Sequence, residues 1–161
     1  MKKHIIQNSS QNVSQRTLGG ENPWIDVANL AEVELTSEDL LHPIEHALAL
    51  GTFDGGWRAS EPGKQVIRLV FENPIDVRRV VLVFEEISDT RTQEFTVRWS
   101  KDGQASQEVI RQQWTFSPPE TVREIEDYQL NLTGMKMLEL TLTPDIGGAG
   151  AVASLLQLRL S

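Results

Sequence analysis

The 161-residue chain contains no cysteine, which excludes disulfides, thiolate metal sites and a cysteine nucleophile together. The same absence sets a cytoplasmic location as the expectation. Nowhere does the chain carry the roughly 20 consecutive apolar residues that a membrane-spanning helix needs. Its opening, MKKHIIQNSSQNVSQ, starts like an export signal but offers only Ile5 and Ile6 where an apolar run of about 7 to 15 residues is required. Positive charge is also short: 15 Lys and Arg stand against 23 Asp and Glu, for a net charge of −8. The basic residues are scattered among acids and form no stripe that could track a phosphate backbone. Nucleic acid and membrane insertion are therefore not expected.

Signatures of catalysis are equally thin. There is no G-x-S-x-G elbow, and the glycine-rich GTFDGG at 51–56 lacks the Lys-Ser/Thr ending that makes such a loop a phosphate cradle. One stretch does spell a catalytic motif: HPIEH, from His42 to His46, matches the H-x-x-E-H of a class of zinc peptidases. Chelation would need both imidazoles one turn apart on a continuing helix, plus a further ligand. Pro43 follows His42 directly, and proline disfavours helical geometry in the residue before it. His42 is thus expected at or outside a helix start, off the face of His46. The remaining histidine, His4, stands far away near the amino end. No metal, cofactor or enzymatic activity is expected.

What is present is a β rhythm. Residues 1–23, rich in Gln, Asn, Ser and Gly, read as a flexible polar leader, and residues 24–161 as a single domain of a size that buries its own core. Strands are expected near 31–35, 65–71, 76–84, 93–100, 107–114, 122–132, 136–143 and 152–160. The separators ENP, EISDTR, SKDG, FSPPE, TGM and PDIGGAGA each hold residues that turns favour. In the fourth of these strands Phe95, Val97 and Trp99 alternate with polar neighbours, as in a strand with one face inward. A short helix is expected near 43–50, closed by Gly51. Eight antiparallel strands make an all-β jelly-roll sandwich.

The succession SEDLLHPIEHAL, GGWRASEPGKQVIRLVFENPIDVRRVVLVFEE, FTVRWSKDG and MLELTLTPDIGGAGAVASLLQLRL resembles the discoidin, or coagulation-factor C-type, domains of the galactose-binding-like group, over about residues 30–160. The resemblance implies a non-catalytic β-sandwich that binds sugars, lipid head groups or proteins through loops at one end. It also implies, for many members, a structural calcium ion, with an Asp-Gly directly after the short helix and a glutamate near the carboxyl end. This chain instead reads ALALG at 47–51, with Asp54-Gly55 only later, and has Gln157 in the place of the glutamate. Hard cations want six to eight oxygens with carboxylate charge among them, so no strong calcium site is expected; Asp54 is the one candidate donor left.

Loop parity locates a ligand independently. Connections between consecutive antiparallel strands fall at alternate ends of a sandwich, which groups GTFDGGWRASEPG, EISDTRT, WTFSPPE and DIGGAGA at one end. Binding residues tend to sit on such loops. The candidates there are Arg91 and Asp89 as a polar pair for sugar hydroxyls, Trp114 and Phe116 as an aromatic platform, and Arg58 and Phe53 beside them. Trp57, which begins a strand, is expected in the core. If Arg91 reads a ligand, its removal should leave the melting temperature nearly unchanged. The expected function is carbohydrate binding; the alternative is an intracellular module that docks a protein partner.

Overall fold

A computed structural model describes residues 3–6 (backbone only), 23–51 and 55–161. In chain order the elements are β1 (Lys3–Ile6), α1 (Val27–Leu30), β2 (Ala31–Leu35), α2 (Glu45–Leu48), β3 (Trp57–Pro62), β4 (Gln65–Glu85), β5 (Arg91–Ser100), β6 (Gln107–Phe116), β7 (Arg123–Thr143), β8 (Val152–Leu155) and β9 (Gln157–Leu160). The fold is the antiparallel β-sandwich expected from the sequence. β1 falls within the stretch read as a leader and pairs with β2, from Lys3 opposite Leu35 to Ile6 opposite Glu32.

Two strands build both layers. β4 and β7 are each 21 residues long, and their pairing shifts register between Val70 and Arg79. The first half of β4 pairs with β2 and with the second half of β7, which in turn pairs with β5, and β5 with β6. The second half of β4 pairs with the first half of β7 and with β9. ENP and TGM do turn the chain back, so that both ends of β4 and both ends of β7 lie beside the start of β5, but they do so without separating the paired strands. They oppose one another, with Ile75 across from Met135, so both strands bend together and pass from one layer to the other. The four strands expected at 65–71, 76–84, 122–132 and 136–143 become two, while the stretch 152–160 divides at Leu156 into β8 and β9.

The core follows from strand alternation. Ile67, Leu69 and Phe71 from the first half of β4, and Val80, Leu82 and Phe84 from the second, are all buried. Phe84 meets Phe95 of β5 with ring centroids 5.3 Å apart, a contact that crosses the sandwich. Trp57 is fully buried as expected, and its indole N–H donates to the Ser37 carbonyl at 3.3 Å. Burying a side chain of that size contributes on the order of 2–3 kcal/mol.

The outer face of the first layer is polar. Glu34, Arg68, Glu139, Arg98 and Glu108 stand directly opposite one another on five successive strands, an alternating row of charge. Arg68 reaches Glu34 at 3.0 Å and Glu139 at 2.8 Å, and Arg98 lies 3.9 Å from Glu108. Opposite charges on facing positions each add about 0.2–1 kcal/mol and fix the register.

Candidate functional site

The turns expected at one end do meet there, and Arg91 ties them. Its side chain points inward, 3% exposed. Nε donates to Glu86 at 2.7 Å, and Nη1 donates to the Pro144 carbonyl at 2.7 Å and to Gln93 at 3.3 Å. Its guanidinium lies 4.8 Å above the Phe116 ring. One arginine thus fastens the 86–90 turn, β5, the end of β6 and the turn after β7. Glu86 also accepts from the amides of Ser88 and Asp89 at 3.1 and 3.3 Å. Burial works against its ionisation, but the Arg91 hydrogen bond and these two amides outweigh it and hold its carboxyl below the usual range.

Behind Arg91 lies a buried carboxyl. Glu124 on β7 is 1% exposed and accepts from Gln93 Nε2 at 3.2 Å. Burial, reinforced by the neighbouring Glu126 carboxylate, pushes its pKa up to about 8. At neutral pH this group carries its proton.

In front of the tie opens a cleft of about 470 Å3, bounded by β3, the 85–89 turn and the segment from Gly150 to Leu156. Arg58, Asp89, Ser88, Ser154 and His42 give it polar walls, and Ile87 stands at its edge, 74% exposed. Arg58 faces Ser154 across the β3–β8 pair. Among the described residues, neither the Arg58 guanidinium nor the Asp89 carboxylate has a side-chain partner. The floor depends on glycine. A Cβ on Gly56, at φ +55°, would lie 2.3 Å from the Leu155 carbonyl oxygen, and one on Gly55, at φ +80°, would lie 2.8 Å from the His42 ring. Both positive φ and close approach require the missing side chain.

The expected site residues divide. Arg58 and Asp89 line the cleft together. Arg91 does not reach it as a free group, because its buried guanidinium is engaged in the protein through Nε and Nη1; it shapes the rim from behind. Phe116 has no exposed surface, so it is a cushion for Arg91 and no platform for a ligand. Trp114 is half-buried on β6, packed against the core, and is not among the residues lining the cleft. Phe53 lies outside the described residues. His42, Ser88, Ile87 and Ser154 were not foreseen; only Ile87, a lone apolar residue in EISD, leaves a trace in the sequence.

The histidine motif resolves as expected. α2 is a single turn beginning at Glu45, while His42 sits outside it, bridged to Asp39 in a turn. His42 Nδ1 lies 3.8 Å from the Asp39 carboxylate.

The calcium implied by the resemblance can be tested against the segment between α2 and the last strand. The carbonyls of Ala47 and Gly51, which such an ion could use, already accept from the Arg159 guanidinium at 3.0 and 3.3 Å. Gln157 contributes a neutral amide on the same strand, and Asp54 lies outside the described residues. A guanidinium among the donors repels a divalent cation, so these residues do not fit calcium.

This architecture is an antiparallel β-sandwich with a cleft at its loop end. No family model matches the chain, and no curated protein is detectably similar to it in sequence. Solved structures do share its fold. One is CBM32-3 from a family 31 glycoside hydrolase of Clostridium perfringens, with a TM-score of 0.61 and 16% identity over 85% of this chain and 93% of that one. Another is the family 32 carbohydrate-binding module of C. perfringens NanJ in complex with galactose, with a TM-score of 0.60 and 16% identity over 85% and 96%. A third is the CBM32 of AlyQ in complex with 4,5-unsaturated mannuronic acid, with a TM-score of 0.56 and 18% identity over 83% and 95%.

Proposed function

We propose that this domain is a non-catalytic carbohydrate-binding module whose ligand occupies the cleft between β3, the 85–89 turn and the 150–156 segment. The observation that carries this reading is the pair of charges in the cleft that have no side-chain partner among the described residues. Arg58 can only donate and Asp89 can only accept, so together they match hydroxyl groups, which do both. Ser88 and Ser154 extend the set, and Ile87 with Val152 supplies an apolar edge for the C–H face of a ring. The fold neighbours support the same ligand class, one of them holding galactose and another a mannuronic acid. The non-catalytic reading is supported by the other two carboxylates of the cleft. Glu85 is paired with Arg123 at 2.7 Å and Glu86 with Arg91 at 2.7 Å, so both are committed to arginines of the protein itself.

A glycan-array screen of the purified protein, followed by calorimetry with Arg58→Ala and Asp89→Ala, tests the proposal. A carbohydrate that binds the parent and loses at least about tenfold with either variant, as expected for a lost charged hydrogen bond, supports it. Binding that both substitutions leave intact removes the ligand from this cleft.

One observation favours a second reading, a protein partner. Leu40 and Leu41 are 90% and 78% exposed on the turn that ends at His42, and with Ile87 they put apolar tips beside the cleft. Apolar tips bordering a polar cleft suit a glycosylated protein surface as well as a free sugar. An array that stays silent, with substitution of both leucines by serine abolishing capture of a partner, would shift the assignment.

A further inference from the structure

The disagreement with calcium has a positive content in Arg159. This residue on β9 is 7% exposed, yet no carboxylate faces it among the described residues. Its guanidinium donates only to main-chain carbonyls: Nη1 to Ala47 at 3.0 Å and Leu158 at 3.1 Å, and Nη2 to Gly51 at 3.3 Å. A buried cation is costly unless its donors are satisfied. Here the satisfaction comes from carbonyl oxygens converging from α2, from the segment after it and from β9, which is the kind of acceptor a hard metal ion gathers. Burial alone lowers the pKa of Arg159, and an arginine stays charged regardless.

We infer that Arg159 is a built-in cation, holding the segment that follows α2 against β9 at the place where the resemblance to discoidin domains implies calcium, so that the loop end is set without metal. The arrangement explains the positions of its neighbours. Residues 47–51 are pinned at one side by Arg159, and at the other the chain returns at Gly55 and Gly56, packed against His42 and the Leu155 carbonyl. A guanidinium delivered by the sequence is always at full occupancy, so the floor of the cleft does not depend on the calcium concentration around it. This inference concerns the floor and stands whether or not the cleft takes a sugar.

The test is thermal unfolding of the parent, Arg159→Gln and Arg159→Lys, each in millimolar calcium chloride and in a chelator, with amide exchange of residues 45–51 followed in the parent. The parent should melt within about 1 °C in both solutions and show the same protection at 45–51. Arg159→Gln should lose roughly 5 to 10 °C in both, as expected for several buried hydrogen bonds in a domain of this size, and Arg159→Lys should fall between. A parent that gains several degrees or new protection only with calcium would overturn the inference, as would an Arg159→Gln protein that melts with the parent. If the glutamine variant does not fold, the lysine variant and the parent's calcium response decide. None of these readouts involves a glycan, so they separate this inference from the ligand assignment.

Discussion

The outer face of the first layer and the cleft at the loop end are both rich in charge, and they use it in opposite ways. On the sheet face, each charge in the row from Glu34 to Glu108 stands beside its opposite, fixed by strand register. In the cleft, Arg58 and Asp89 are left over after Arg91, Glu85 and Glu86 have paired. The first arrangement specifies the protein's own pairing, and the second leaves hydrogen-bonding capacity for something else. Charge alone does not mark a site; charge without an internal partner, held on a rigid frame, does.

Four substitutions would sharpen or break that contrast, and the largest effect on stability belongs to Arg91→Ala. Removing one member of a buried pair costs about 3–5 kcal/mol, which should lower the melting temperature by roughly 10 °C and weaken ligand binding with it. A variant as stable as the parent would return Arg91 to the ligand.

Glu124→Gln comes next, read against pH. In the folded protein this carboxyl keeps its proton up to about pH 8, whereas an unfolded glutamate releases it near pH 4.3. Its contribution to stability is therefore full below the unfolded value and declines as pH rises through the folded one. The amide cannot ionise, so the variant should match the parent at low pH and melt several degrees above it at pH 8 to 9. Parallel pH profiles for the two proteins would rule out a protonated Glu124.

Arg68→Ala removes the centre of the charged row. Because Arg68 is 28% exposed, the loss should be about 1 kcal/mol and shrink in high salt, with ligand affinity unchanged. Denaturant titration at two ionic strengths reads both effects.

Arg58→Ala should disturb stability least, within about 0.5 kcal/mol for an exposed side chain with no partner among the described residues, while causing the clearest loss of ligand. If Arg58→Ala and Arg68→Ala were to affect binding alike, the distinction between the two regions would fail.

Much of the sandwich was legible because strand burial has a period of two: Phe95 and Val97 announce their strand, and the buried halves of β4 and β7 read as apolar runs. ENP and TGM were legible as places where the chain turns back, but not as a bend through which the two strands stay paired, since glycine and proline chemistry is the same in a free turn and in a bend shared by two strands. At the site, turn parity was enough to bring Arg58 and Asp89 to one place. It misjudged Arg91, although the clue was present: Arg91 shares parity with Gln93, Phe95 and Val97, and so points into the core once the strand extends that far. Phe116 shares parity with the buried Ile110 in the same way. His42 and Ser154 come from segments more than 100 residues apart; the β3–β8 pairing puts Ser154 beside Arg58, and the Arg58 amide, donating to the His42 carbonyl at 3.1 Å, puts His42 there.

The long strands β4 and β7 carry one further consequence. Since the same two strands run through both layers, neither layer can come apart while the other stays intact, because melting either one breaks a ladder that continues into its neighbour. The domain should therefore lose its amide protection as one cooperative unit along the whole of β4 and β7, in a single calorimetric transition, and a force applied at the loop end should meet resistance from the entire sandwich at once.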